Sequence, residues 1–363
     1  MRTPTVVVAG TGALAGTVCH ALAARPGPPA RVVVVGRRTE AAGRLARSAG
    51  EVSAALRLPR SFTAHPVDTD GATGMADAVA SHRPDVVVQC ASWHYPWEAR
   101  ERPSAWTDLI REAGFGATLP LQAAPAALVA AAVPGAAFVN GCLPDMANPV
   151  LRGLGLPVFC GIGNAATLWD GLAARPGCGP IRLLAHHLHL HQPDSPADEA
   201  LAWEGERQVA DVGERLRPLR SLPRAELNDR AGGPAALLVS AVLGDAEARM
   251  SVPGPLGLPG GYPVVVSGPE IRLDLPAGMS EDVAVAWNHR MSVLDGAAVE
   301  ASGRVAAGPA ATLALLPHLP RYAGGFDLDD LSAVARALTG LRDRLRRAPS
   351  AGTSPLPPRA VTT

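Results

Sequence analysis

Thr5-Val6-Val7-Val8-Ala9-Gly10-Thr11-Gly12-Ala13-Leu14-Ala15-Gly16 is the stretch on which the reading of this chain turns. A short β-rich run leads straight into glycines and then into alanine and leucine, so it reads as a buried strand over Thr5–Ala9, a GxGxxxG turn, and a helix from about Gly12 to Ala24. Glycine permits the tight turn and the close backbone approach that a pyrophosphate needs. The free amides and dipole of the helix N-terminus then hold its negative charge. Gly10, Thr11, Gly12, Ala13 and Leu14 are therefore expected to bind a dinucleotide.

Outward from this turn the pattern repeats. Strands are expected at Arg31–Val35, Phe62–Val67, Asp85–Gln89 and Ala136–Val139, with helices at Ala72–Ala80 and about Gln122–Ala132 and Thr39 as the N-cap of another. Nearly continuous valine in the strands implies a parallel sheet covered on both faces, a Rossmann domain over residues 1–148. At the end of the second strand stands Gly36-Arg37-Arg38-Thr39. An NAD or S-adenosylmethionine site ordinarily carries an acid there, whereas Arg37 and Arg38 suit the 2′-phosphate of NADP(H). Asp68, after the third strand, is expected beside the adenine or as a helix N-cap.

Composition removes other chemistries. All 33 basic residues are arginine, so Schiff-base catalysis, a P-loop lysine and Tyr-x-x-x-Lys reductases are excluded, and proton transfer falls to His, Asp, Glu, Tyr, Cys or water. A net charge of zero gives no case for nucleic acid or an anionic membrane, and no apolar run approaches the roughly twenty residues of a bilayer span. The five scattered cysteines form no CxxC pair and read as reduced thiols of a cytoplasmic protein.

The second half reads as an α+β substrate and dimerisation domain, residues 149–325, with a mainly antiparallel sheet. Its expected elements are an alternating strand at Ile181–His191, a polar helix at Asp198–Leu216, and a helix at Gly233–Leu243. A hairpin is expected around Ser267–Glu270, and Val299–Val305 as a strand. The helix capped by Ser280 is expected to turn Val283, Trp287, Met291 and Leu294 inward. A last helix at 326–347 would return to the first domain, and a disordered tail would follow from 348.

Ligands of doubly wound sheets lie across the carboxyl ends of the strands. Those ends place Cys90, Ala91, Ser92 and Asn140 at the cofactor, and Asp145 and Asn148 near the nicotinamide. Trp93, His94, Tyr95 and Trp97 form the densest aromatic cluster and are expected to wall a substrate pocket, with His94 or Tyr95 as proton donor. In Ala185-His186-His187-Leu188-His189-Leu190-His191, strand alternation puts His187, His189 and His191 on one face. Their spacing suits an acid/base over the nicotinamide, such as His187 or His189, better than tetrahedral zinc, so no metal is expected. Asn164 has a lesser claim to reach the site. Tyr262 is expected in a loop against substrate, and Arg272 or Arg290 to hold a carboxylate.

The GTGALAG turn, the GRR and VDTD segments, DVVVQCAS, and Gly141-Cys142-Leu143-Pro144-Asp145-Met146-Ala147-Asn148 together resemble the saccharopine dehydrogenase-like group of NADP-binding oxidoreductases over residues 5–150. Asp145 departs from that group's usual glycine, as does Ser92–Trp97 from its small Gly-Pro turn. The resemblance implies chemistry at a C–N bond of a small amino-acid-like substrate in a homodimer. Carbonyl reduction and a non-catalytic NADP(H) sensor are the alternatives.

Overall fold

The computed structural model describes residues 2–67, 72–175 and 179–351; Asp68, Cys178 and residues 352–363 lie outside the described residues. In the first half, strands and helices alternate: β1 Thr5–Ala9, α1 Ala13–Ala24, β2 Ala30–Gly36, α2 Thr39–Ala55, β3 Arg60–Pro66, α3 Ala72–Ser81 and β4 Val86–Gln89. Three helices follow: α4 Glu98–Glu101, α5 Ala105–Ala113 and α6 Phe115–Ala132. Then come β5 Ala137–Asn140, α7 Pro144–Gly153, β6 Cys160–Gly161 and α8 Asn164–Ala173.

The six strands form one parallel sheet in the order β3-β2-β1-β4-β5-β6. This is the doubly wound Rossmann arrangement, with its switch point between β1 and β4. Valine is apolar on both faces because both are covered: Val6, Val8, Val32 and Val34 pack with α1, α2 and a later helix, while Val7, Val33, Val35 and Val87 pack with α3 and α6. Helix α6 is apolar over 18 residues, enough by composition to span a bilayer, yet it is largely buried against α3 and α7. The expected boundary at 148 cuts this sheet short, since β6 pairs with β5 through Val139–Cys160 and Asn140–Gly161.

The second half contains β7 Ile181–Leu184, β8 Leu201–Glu204, β9 Arg207–Gln208, α9 Val212–Arg220, α10 Arg224–Arg230, α11 Gly232–Val242 and β10 Ala248–Pro253. It continues through β11 Gly261–Ser267, β12 Glu270–Leu273, α12 Glu281–Asp295, β13 Ala297–Val299, β14 Arg304–Ala307, α13 Pro309–Leu315, β15 Gly325–Asp327 and α14 Leu331–Leu345. Among the described residues these strands form three three-stranded antiparallel sheets, and an Ala185–Gly261 bridge joins β7 to β11. Helix α11 packs on α1, and α14 on α6.

Several expectations for this half are corrected. The strand at 181 stops at Leu184, because His186 and His189 exchange side-chain and backbone hydrogen bonds that curl His187–Leu190 into a 3₁₀ turn. Residues 198–216 form no single helix: Leu201–Glu204 pairs with β7, and Gly205 at φ 61° turns the chain into β9. Gly303 likewise splits 299–305 into the β13–β14 hairpin. On α12 the buried line is Ala284, Asn288, Met291 and Ser292, while Val283 and Leu294 are exposed. Asn288 donates to the Gly261 carbonyl and Ser292 contacts His186, so polar contacts choose a face that apolar patterning does not see. Residues 348–351, expected in a disordered tail, are instead held to α5, where Ser350 Oγ and the Ala351 amide donate to Asp108.

Candidate functional site

A cleft of about 630 Å³ opens over the carboxyl ends of β1, β2, β4 and β5. Its floor at one end is the glycine turn. Gly10 has φ 125°, and a Cβ there would lie 3.0 Å from the Ala91 amide, so the turn admits only glycine. A Cβ on Gly12 would meet nothing within 4 Å, leaving the open space above the start of α1 that a diphosphate requires. Thr11, Ala13, Leu14, Gly36, Arg37 and Arg38 line the same end, as do Cys90, Ala91 and Ser92. The loop after β4 is held by its own polar groups: Gln89 Nε2 donates to the Ala91 carbonyl at 2.6 Å, and Ser92 Oγ to the His94 carbonyl at 2.6 Å.

The aromatic cluster divides. His94, Tyr95 and Trp97 line the cleft. Burial pulls the His94 pKa down to about 4, so its ring is neutral at pH 7 and a poor proton donor. Tyr95 is exposed and its hydroxyl donates to Glu101 at 2.8 Å. Trp93 is absent from the lining, contrary to expectation. It packs into the core formed with α5 and α14, and its carbonyl accepts from Arg342 at 2.6 Å.

Five other expected residues are also corrected to structural roles. Asn140 is turned into its own loop, accepting from the Cys142 amide and donating to Asn148 Oδ1. Asn148 in turn donates to the Gly254 carbonyl, clamping α7 to the second half. Tyr262 is a wholly buried residue of β11 packed with Leu184, Trp203 and Leu258. Arg290 is engaged by Asp198. His189 is buried, stacks on Trp287 and gives its Nε2 to the Asp198 carbonyl, and burial lowers its pKa to about 4.

His187 does reach the cleft, at the end opposite Arg37 and Arg38, with Phe115 edge-on to its ring at 4.3 Å. The 3₁₀ turn aims it there. Its Nδ1 lies 2.9 Å from Asp295 Oδ2 at the C-terminus of α12. Burial disfavours the charged ring, but the Asp295 charge and hydrogen bond, with Asp145, outweigh it and raise the His187 pKa. Burial also disfavours the Asp295 carboxylate, and the nearby histidines overcome this and lower its pKa. Asp145 is buried at the start of α7, where Oδ2 accepts from Asn164 Nδ2 at 2.7 Å and Oδ1 finds no partner among the described residues. It stands behind the cleft wall, and Asn164 lines the cleft in its place.

Sequence reasoning missed Asp295, Arg224 and Asn228. Arg224 and Asn228 come from α10, and with Asn164, Thr167 and Gln122 they complete the lining. Among the described residues the lining holds three arginines and two histidines but no Asp or Glu. Among the described residues, Arg37, Arg38 and Arg224 make no ion pair. The cleft thus carries unneutralised positive charge at both ends, which suits ligands that are anionic at both ends. Among the described residues no cluster of His, Cys, Asp and Glu could hold a metal ion.

No family model and no curated relative matches the chain. Solved structures do. MGS-M5, a lactate dehydrogenase from a Medee basin deep-sea metagenome library, is 15% identical with a TM-score of 0.52, over 81% of this chain and 99% of that one. The minor L-lactate dehydrogenase of Enterococcus mundtii is 14% identical, with a TM-score of 0.49 over 79% and 95% of the two chains. The malate dehydrogenase of Picrophilus torridus is 13% identical, with a TM-score of 0.48 over 80% and 95%. What this likeness establishes is the Rossmann-type fold with an antiparallel second part. The narrower resemblance to saccharopine dehydrogenase-like proteins finds no counterpart among these structures.

Proposed function

We propose that this chain is an NADP(H)-dependent oxidoreductase acting on a small anionic, amino-acid-like substrate at a C–N bond. The observation that carries the reading is the placement of His187, its Nδ1 held by a buried carboxylate, on the same cleft as the glycine turn. The open space over Gly12 and the exposed Arg37 and Arg38 on the lining fit a diphosphate and a 2′-phosphate. NADPH, when bound, supplies a hydride, and the protein supplies position and a proton.

His187 is suited to the proton. Asp295 fixes its Nδ1 tautomer and favours the charged ring, leaving Nε2 to give a proton to a substrate nitrogen and take it back in reverse. Arg224 is the cation nearest this end of the cleft, where it can hold a substrate carboxylate against Asn228. Phe115, Leu190 and Leu227 supply apolar wall that excludes water. Carbonyl reduction would use the same groups, and paired imine and aldehyde substrates separate the two.

Fluorescence titration with NADPH and NADH side by side is the test. Tight NADPH binding with much weaker NADH binding is expected, followed by NADPH oxidation with 2-oxo acid and amine pairs. Binding of neither nucleotide would overturn the reading.

A further inference from the structure

Asn164 stands on the cleft wall with its amide held in one orientation. It opens α8, which packs on the 3₁₀ turn that carries His187. Its Nδ2 donates to Asp145 Oδ2 at 2.7 Å, behind the wall and at the length of a charge-assisted bond. A carboxylate only accepts, so the amide cannot be reversed, and Oδ1 is the atom left for the cleft. That oxygen accepts from nothing among the described residues, and it is not one of their buried unpartnered atoms. The backbone sets the same aim. Gly163 has φ 89° and Asn164 itself φ 30°, in the left-handed region that asparagine enters more readily than most residues.

Gln122 is fixed in the same sense. Thr118 Oγ1 gives its proton to the Phe115 carbonyl at 3.0 Å, so it accepts from Gln122 Nε2 at 3.0 Å and leaves Oε1 to the lining. The substrate end therefore offers donors in His187 and Arg224 and, in place of any carboxylate among the described residues, amide oxygens as acceptors.

We propose that Asn164 determines specificity by accepting an N–H of the substrate, and that the substrate is an unsubstituted imine, the condensation product of a 2-oxo acid and ammonia. The inference rests on the oxidoreductase reading above and sharpens it. The nitrogen of a C=N–H group has one hydrogen and one lone pair. The hydrogen goes to Asn164 Oδ1, and the lone pair takes the proton of His187 Nε2, which is left neutral. The carbon receives the hydride of NADPH, so C=NH leaves as CH–NH2 and two electrons have passed from the nucleotide. A carbonyl oxygen has lone pairs but no hydrogen and would meet Oδ1 as acceptor against acceptor. A C=N–R group lacks the hydrogen as well. A site built to bond an N–H discriminates against the analogue without it, because its own polar atom is left unpaired.

The test supplies NADPH, ammonium and a series of 2-oxo acids from pyruvate to 2-oxoglutarate, and measures the ratio of 2-amino acid to 2-hydroxy acid formed in one mixture. A loss of overall activity acts on both products alike and cancels from that ratio. The wild type is expected to form the amino acid and to use ammonium in preference to methylamine. Asn164→Gly, which keeps the left-handed backbone, is expected to lower the ratio about 10–100-fold with NADPH affinity unchanged. Asp145→Asn, whose amide meets Asn164 in either orientation, is expected to lower it by a smaller factor, and it decides the matter if Asn164→Gly fails to bind NADPH. A ratio unmoved by the variant that binds NADPH, a wild type that forms chiefly the hydroxy acid, or equal use of methylamine would overturn this inference alone, since NADPH is still oxidised. No NADPH oxidation in any mixture would overturn the oxidoreductase reading and this inference with it.

Discussion

The two ends of the cleft are built in opposite ways. The glycine-turn end comes from three neighbouring parallel strands and the residues that directly follow them, Gly10–Leu14, Gly36–Arg38 and Cys90–Ser92. The His187 end takes one or two side chains from each of several distant segments: Phe115 from α6, Asn164 from α8, His187 from a 3₁₀ turn, Arg224 from α10, and Asp295 behind them from α12. The first end exists once the Rossmann sheet forms. The second exists only when the second half has docked against it, so binding of a nucleotide and chemistry on a substrate should be separable by mutation.

The largest effect should come from the second end. His187→Gln is expected to lower turnover by about 10²–10⁴-fold, the usual worth of a positioned acid/base, with NADPH affinity changed by no more than about twofold. Asp295→Asn should follow it, since an amide neither charges the ring nor fixes its tautomer in the same way. Steady-state kinetics beside a binding titration checks both. Equal loss of affinity and turnover would mean that the two ends form one structural unit.

Next in size is a change at the first end. Replacing Arg37 and Arg38 together by alanine is expected to weaken NADPH by about 10–100-fold, at about 1.5–3 kcal/mol for hydrogen bonds to a charged group, and to leave NADH nearly untouched. Both side chains are exposed and make no ion pair among the described residues, so thermal stability should not move. A parallel loss for NADH would place the arginines on the shared diphosphate instead of the 2′-phosphate.

The same contrast explains what could be read from the sequence. Strand β1, the turn and Arg37–Arg38 are legible because period, glycine spacing and strand end all fall within forty contiguous residues. Asp295 carries no local sign of function: it ends an ordinary capped helix more than a hundred residues from His187. Arg224 sits on a polar segment that reads as one more solvated surface. The histidine run stands out by its composition, but a strand's alternation does not describe it. Alternation makes His189 an equal of His187, whereas the 3₁₀ turn sends His187 to the cleft and His189 into the core. Side chains that bond to their own backbone override the period on which such readings depend. Tyr262 shows the reverse case: its glycine-rich approach reads as a loop, yet the strand begins one residue before it, at Gly261.

The smallest expected effect is a difference in acid sensitivity between the two ends. His94 and His189 have pKa values pulled down to about 4 by burial, from an ordinary 6.5. For such groups the unfolded chain binds more protons than the folded one below pH 6.5, so stability is lost as pH falls from 6.5 toward 4. For His189 the loss at pH 5 is on the order of 2 kcal/mol. The His187–Asp295 pair acts in the other sense over this window. The raised pKa of His187 keeps its contribution present below 6.5 and loses it only as pH rises through the folded value, while depressed Asp295 holds its contribution until pH falls below the ordinary carboxylate range. The net result should be local: at pH 5, amide hydrogen exchange should rise around residues 94 and 189 before it rises in β1, β2 and β4, whose buried faces carry almost no titrating group. His189→Gln should flatten this pH dependence. Uniform exchange along the chain would mean that the two ends unfold together, and that their separation is one of construction and not of stability.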